Sequence, residues 1–205
     1  MTRFGFVINT GRCIGCHTCA NACKMQNNVP MGMLWNRVLT EGSDIIDGAI
    51  GQYPNVSRAY LPVACQHCEN PACLRVCPTG ATYKDEVGRV EIAYDKCIGC
   101  RTCMAACPYN ARVFNWNEPR RDPDFNYGDK DVPVRTKGVV EKCTMCKERT
   151  DRGDEPMCVV CCPTKARIWG DVDDSASDVA RIIREQRTHV LLEEQGTRPQ
   201  VHYQG

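Results

Sequence analysis

Cys97-Ile98-Gly99-Cys100-Arg101-Thr102-Cys103-Met104-Ala105-Ala106-Cys107-Pro108 is the stretch on which the reading of the chain turns. Its cysteines fall at intervals of three, three and four residues, and a proline follows the last. That is the bacterial iron–sulfur run, C-x2-C-x2-C-x3-C-P. Three thiolates on one tight loop can hold three irons of a single cubane. The fourth cysteine lies a helical turn further on, faces away from the loop and ligates a different cluster. A run of this kind therefore requires a second run that returns the exchange. Gly99 permits a close backbone approach, and N–H groups aimed at sulfur would offset the cluster's negative charge.

On either side of this stretch the same pattern recurs, three times in all. The first run is Cys13, Cys16, Cys19 and Cys23, followed by Lys24 instead of proline. The second is Cys65, Cys68, Cys73 and Cys77-Pro78, in which Glu69-Asn70-Pro71-Ala72 widens one interval by two residues. The fourth is Cys143, Cys146, Cys158 and Cys162-Pro163, with eleven residues between its second and third cysteines. Three runs continue as C-P-x-x-A, at Cys77 to Ala81, Cys107 to Ala111 and Cys162 to Ala166. The repeating unit is strand, cysteine loop, helical turn, Cys, strand.

Composition points the same way. There are 17 cysteines in 205 residues, an odd number, so a disulfide framework leaves one thiol over. Without cysteine the apolar core is thin, and a metal scaffold is expected to replace the missing burial. Thiolates that hold clusters need reducing conditions, so loading is expected in a cytosol. The net charge of +1 gives no footprint for nucleic acid. No apolar run reaches the length of a membrane span, and Met1 to Asn9 lacks a signal core. Arg120-Arg121 lies mid-chain and is no twin-arginine signal. Export or membrane attachment is expected to come from a partner.

Phe4 to Ile8 reads as a short strand. Trp35 to Thr40 and Asn55 to Val63 read as an inserted hairpin, with turns at Gly42-Ser43-Asp44 and Asp47-Gly48. Val87 to Ile92 is a strand leading towards the third run. Residues 112–138 read as a second insert whose middle is an irregular loop, carrying Trp116, Phe125 and Tyr127, which either anchor a partner or cover the loop's own small core. A helix is expected from Ser177 to Gln186, capped by Ser177 or Asp174, with Val179, Ile182 and Ile183 on one face. The tail from Val190 to Gly205 reads as carrying no chemistry.

Four full quartets use 16 thiolates and leave Cys161. The x3 spacing and Pro163 both select Cys162, so Cys161 is expected as a buried thiol beside a cluster. Structural zinc favours two distant C-x2-C pairs or Cys/His mixtures, and explains neither the third cysteine nor the following proline. His17 and His67 lie inside cysteine loops, but with the quartets full they are expected to support the site or face solvent. Lys24, Lys142 and Lys147 flank cysteines, where they either tune potential by charge or form solvated faces. No catalytic triad, purposeful carboxylate pair or nucleotide fingerprint is present. The chain has relay centres and no catalytic site.

Four cysteine runs in this order resemble the iron–sulfur (beta) subunit of the complex iron–sulfur molybdoenzymes, most closely those of dimethyl sulfoxide and polysulfide reductases. The likeness covers nearly the whole chain. It is carried by Cys65-Gln66-His67-Cys68-Glu69-Asn70-Pro71-Ala72-Cys73, Cys97-Ile98-Gly99-Cys100, Glu141-Lys142-Cys143-Thr144-Met145-Cys146 and Gly196-Thr197-Arg198-Pro199. The resemblance implies an α+β fold of two ferredoxin-like bicluster modules, one inserted in the other, with hairpin and loop insertions and a C-terminal helix. The outer module would take 1–30 and 138–172, the inner one 54–115, the insertions 31–53 and 116–137, and the helix and tail 173–205.

It also implies how the runs pair. One [4Fe–4S] cluster would use Cys13, Cys16, Cys19 and Cys162; a second Cys143, Cys146, Cys158 and Cys23. A third would use Cys65, Cys68, Cys73 and Cys107, and a fourth Cys97, Cys100, Cys103 and Cys77. Some relatives carry Trp at the position of Cys100 and hold a three-iron cluster, so four cubanes are expected here. In this family such a chain relays electrons between a molybdopterin catalytic subunit and a quinone-linked membrane anchor. The first run's cluster would face the catalytic subunit and the third run's the membrane. Cytoplasmic assembly, then a membrane-associated complex exported on the partner's signal, would suit the absence of a signal here. A free-standing polyferredoxin for a hydrogenase or formate system, and a zinc-stapled interaction module, are the competing readings.

Overall fold

A computed structural model describes residues 2–43, 45–119 and 128–205. The fold is α+β, with short helices hung between small sheets. β1 (Phe4–Asn9) is the middle of a three-stranded sheet. It pairs antiparallel with β10 (Arg167–Asp171), Phe4 opposite Asp171 and Ile8 opposite Arg167. It pairs parallel with β11 (Val201–Gln204), Phe6 opposite Val201. The strand that introduces the first cysteine run is thus clamped by the strand that leaves the fourth.

The predicted hairpin forms, shorter and with a second hairpin inside it. β2 (Arg37–Thr40) pairs antiparallel with β5 (Tyr60–Val63). Between them β3 (Ile50–Gln52) and β4 (Asn55–Ser57) pair in a fully exposed ribbon. The predicted 55–63 strand is therefore two strands. Asp44 of the predicted turn lies outside the described residues. β6 (Thr82–Lys84) and β7 (Val90–Ile92) form a hairpin between the second and third runs. The predicted 87–92 strand begins only at Val90, because Asp85 accepts from the N–H groups of Val87 and Arg89 and makes a turn of the residues before it. The 112–138 insert opens with β8 (Val113–Phe114), the strand that the repeat predicts after the third run, paired with β9 (Val140–Glu141).

Each cysteine run carries a helix, and proline sets its length. α2 (Ala72–Arg75), α3 (Thr102–Ala105) and α5 (Met157–Val160) have four residues each. Each stops two residues before a cysteine that precedes proline, because proline disfavours helical geometry in its predecessor. α1 (Thr18–Gln26) meets no proline after Cys23 and runs for nine residues. α4 (Lys147–Thr150) is a single turn in the long gap of the fourth run. α1 packs on α5, and α2 on α3.

α6 (Asp178–Glu185) forms as expected, with Ser177 Oγ accepting from Ala180 N at 3.1 Å. Its Val179 and Ile182 pack on Val7 beneath the sheet, with Ile183 half-buried beside them. The largest core cluster joins Phe6, Ile8, Val38, Met145, Val201 and Tyr203 to Cys19 and Cys158. Cysteine is thus part of the core, as the thin apolar composition requires.

Candidate functional site

The four loops share a backbone device. The residue before the second cysteine is left-handed in every run: Gly15 (φ +69°), His67 (+42°), Gly99 (+68°) and Met145 (+55°). A side chain with a Cβ costs roughly 1–2 kcal/mol there. Two of the four positions bear that cost, as strained functional loops do. The same device closes the C-P-x-x-A segments at Gly80 (+65°), Asn110 (+48°) and Lys165 (+53°). Each of these donates its N–H to the carbonyl of the preceding fourth cysteine, at 3.2–3.3 Å. The turn then aims N–H groups at sulfur: Ala166 N lies 3.3 Å from Cys162 Sγ, and Thr82 N 3.5 Å from Cys77 Sγ. Met145 N donates to Cys143 Sγ at 3.3 Å.

The cysteines gather in fours drawn from two runs. One cavity is lined by Cys13, Cys16, Cys19 and Cys162, a second by Cys23, Cys143, Cys146 and Cys158. A third is lined by Cys77, Cys97, Cys100 and Cys103. The remaining four cysteines of the runs also meet: Cys68 interacts with Cys65, Cys73 and Cys107, against Tyr109 and Ala111. The groups lie in a row. Cys19 and Cys158 link the first two, Cys65 borders the cavity of Cys143, and Cys73 and Cys103 link the last two.

The donor set suits clusters. All 17 cysteines are free of disulfides. Among the described residues no group of three or more His, Cys, Asp or Glu is arranged to hold a single metal ion. Four sulfurs spread around a cavity, with N–H donors aimed at them, fit a cubane better than one tetrahedral zinc.

Electrostatics divide the thiols into two kinds. Burial pushes Cys158 and Cys68 up to about 12, and Cys143 further, because a thiolate is poorly solvated there. Burial also raises Cys77 and Cys162, but hydrogen bonds from Thr82 and Thr79, and from Ala166 and Thr164, outweigh it and leave both lowered. These two are the fourth cysteines that precede Pro-Thr.

Other expected residues fall as follows. Cys161 is half-buried against Cys19 and Cys162 but lines none of the three cavities; burial raises its thiol to about 11. His67 is fully buried, and its Nδ1 accepts from Val90 N at 3.1 Å. Burial, Lys142 and Arg89 hold it neutral, as a support for β7. His17 borders the first cavity. Lys147 makes a surface pair with Asp151 at 2.8 Å. Lys24 Nζ donates to the carbonyls of Val29 (3.2 Å) and Met33 (3.0 Å), tying down the insert. Lys142 is no solvated face: it is buried and donates to Cys143 O at 2.8 Å. Trp116 is exposed, edge-on to Phe114 at 4.8 Å; Phe125 and Tyr127 lie outside the described residues.

The tail corrects the sequence reading. Its lack of pattern suggests no chemistry, yet it braces the second run. Glu69 N and Asn70 N donate to Arg198 O (2.7 Å) and Thr197 O (3.0 Å), and Gln200 N donates to Gln66 O (2.9 Å). Thr197 also interacts with Cys68 Sγ and bonds the hydroxyl of Tyr109. The signal is Gly196-Thr197-Arg198-Pro199, a turn sequence with no periodic element around it.

Paired cysteine loops with sulfur-directed N–H groups define an iron–sulfur electron-carrying protein. A family model for a 4Fe-4S dicluster domain matches residues 56–121 and 130–172, and one for a 4Fe-4S binding domain matches 6–26. A Halobacterium salinarum protein named as a dimethyl sulfoxide reductase iron-sulfur subunit is 55% identical, over 99% of this chain and 79% of its own. The iron-sulfur subunit of arsenate respiratory reductase from a Shewanella species is 37% identical over 98% and 95%. The iron-sulfur cluster-binding subunit of menaquinone reductase from Nitratidesulfovibrio vulgaris is 36% identical over 98% and 88%. The chain belongs to this family, the iron–sulfur subunits of molybdoenzyme-type reductases, which transfer electrons and are not the catalytic chain. Among the described residues no helix is long and apolar enough to cross a membrane.

Proposed function

We propose that the chain holds four [4Fe–4S] clusters in a row and relays electrons between a molybdopterin catalytic subunit and a quinone-linked membrane anchor. The ligand sets of this reading are Cys13, Cys16, Cys19 and Cys162; Cys23, Cys143, Cys146 and Cys158; Cys65, Cys68, Cys73 and Cys107; and Cys77, Cys97, Cys100 and Cys103. One observation carries it: each of three cavities is lined by three cysteines of one run and the fourth cysteine of another, with Cys65 also bordering the cavity of Cys23, Cys143, Cys146 and Cys158.

When bound, the clusters supply one-electron redox centres. The chain's own residues do the rest. Buried thiols exclude water from the row, and the N–H groups of Met145, Thr82 and Ala166 stabilise negative charge on sulfur. Asn27 Nδ2 adds donors to Cys23 Sγ (3.6 Å) and Cys146 Sγ (3.7 Å).

The domain reading is two ferredoxin-like modules, 54–115 inserted into 1–30 and 138–172, with 31–53 and 116–137 as insertions and 173–205 as helix and tail. The β1–β10 pairing and the α1–α5 and α2–α3 contacts support it. The menaquinone reductase relative supports a quinone-linked partner, and the dimethyl sulfoxide reductase relative supports a catalytic one. Assembly in the cytoplasm followed by export with the catalytic partner completes the reading.

Anaerobic purification of the tagged chain from its host tests this. Iron and acid-labile sulfide equal to four cubanes, with a co-purifying pterin-containing large subunit, is the expected result. Zinc without sulfide would contradict the cluster reading. A cluster-loaded chain with no such partner would contradict the partner reading.

A further inference from the structure

Three cations are buried along the row of cysteines, one at each junction between neighbouring groups. Arg167 is 5% exposed and lines both the cavity of Cys13, Cys16, Cys19 and Cys162 and that of Cys23, Cys143, Cys146 and Cys158. Its Nη2 donates to Asn36 Oδ1 at 2.8 Å, and no carboxylate among the described residues pairs with it. Arg112 is 3% exposed, lines the cavity of Cys77, Cys97, Cys100 and Cys103, and reaches Cys73 and Cys65 of the neighbouring group. Its Nη1 donates to Thr82 Oγ1 at 3.2 Å, Nη2 is buried, and the guanidinium lies against the thiols of Cys73 and Cys103. Lys142 is 1% exposed, adjoins Cys143, and interacts with Cys65 across the remaining junction.

The two arginines occupy equivalent places in the repeat, C-P-x-x-A-R at Cys107 to Arg112 and at Cys162 to Arg167. The second run has Thr82 there and the first run has no such segment. Burying a cation in a low dielectric is costly without a compensating anion. Partners for these three are mostly neutral oxygens and sulfurs. The negative charge that offsets them is that of the ligated clusters on either side.

We propose that Arg167, Lys142 and Arg112 are potential-setting bridges, each raising the electron affinity of the two clusters it separates and so smoothing passage across that junction. The proposal rests on the four-cluster reading. Glu91, the buried middle residue of β7, also lies in the field of Lys142 and partly offsets it, so the arginines have the larger effect.

The test is an EPR-monitored redox titration of the anaerobically purified complex with Arg167→Met, Arg112→Met and Lys142→Met, each beside its charge-retaining exchange (Arg→Lys, Lys→Arg). For each arginine, electron affinity should fall at least tenfold, about 59 mV for a one-electron couple, at the two flanking clusters only. The charge-retaining variant should restore most of it. Four intact clusters with unchanged potentials, or all four shifting together, would overturn the proposal. So would loss of clusters in Arg→Met with retention in Arg→Lys, since the cations would then be structural. A wild-type complex with iron and sulfide short of four cubanes would instead overturn the reading beneath it.

Discussion

The first and third runs begin alike and end differently. Cys13 to Cys19 and Cys97 to Cys103 both read C-I-G-C-x-T-C, and φ is nearly the same at Gly15 (+69°) and Gly99 (+68°). After the third cysteine they part. Pro108 confines α3 to four residues and leaves Cys107 half-buried; Lys24 lets α1 run nine residues and carries Cys23 into the core. The longer helix delivers Asn27 to the sulfurs of Cys23 and Cys146, and Lys24 to the carbonyls of the insert. The three-cysteine loop therefore sets local geometry by itself. The residue after the fourth cysteine decides what the run can reach.

Lys24→Pro should erase most of this contrast. Proline inside α1 removes a helical hydrogen bond and clashes with the preceding turn, at about 3 kcal/mol. Thermal melting of the anaerobic protein should show that loss, and EPR should show disturbance centred on the cluster that includes Cys23. Second comes Gly99→Ala. Its φ of +68° penalises any Cβ, and the new methyl would strike the carbonyl oxygen of Gly138, which is backbone. A loss above about 2 kcal/mol is expected. Gly15→Ala meets the ring of Tyr60 instead, which can swing, and should cost less.

Asn27→Leu isolates what the longer helix delivers. It removes the amide donors to Cys23 and Cys146, so about 1–2 kcal/mol of stability and a downward shift in one cluster's potential are expected. Redox titration checks the potential. Arg101→His has the smallest effect. Arg101 lies over the rings of Phe114 (5.4 Å) and Trp116 (4.5 Å), whereas the first run has His17 at that place. About 0.5–1 kcal/mol should be lost, measured as a small fall in melting temperature.

Much of this is legible in the sequence because cysteine spacing encodes loop geometry directly. The strand at Phe4, the capped helix at Ser177 and the four cysteine runs need only local patterns, whereas the exchange of fourth cysteines between runs comes from the family resemblance. What escapes depends on distant partners. Lys142 gives no sign in sequence that it is buried; its partner Val90, whose carbonyl accepts from the ammonium, comes from β7, far away in the chain. Tyr203 and Thr197 sit in a tail without periodicity, and their role appears only once β11 lies beside β1. The hairpin from residue 35 to 63 is divided because Gly51 and the Tyr53-Pro54 turn let β3 and β4 pair early.

The crossed exchange of fourth cysteines underlies every cluster assignment made above, and EPR of reduced Cys107→Ser probes it at a single atom. The expected result is disturbance of the cluster held by Cys65, Cys68 and Cys73, with the cluster of Cys97, Cys100, Cys103 and Cys77 intact. Loss confined to the cluster of Cys97, Cys100 and Cys103 would contradict the exchange.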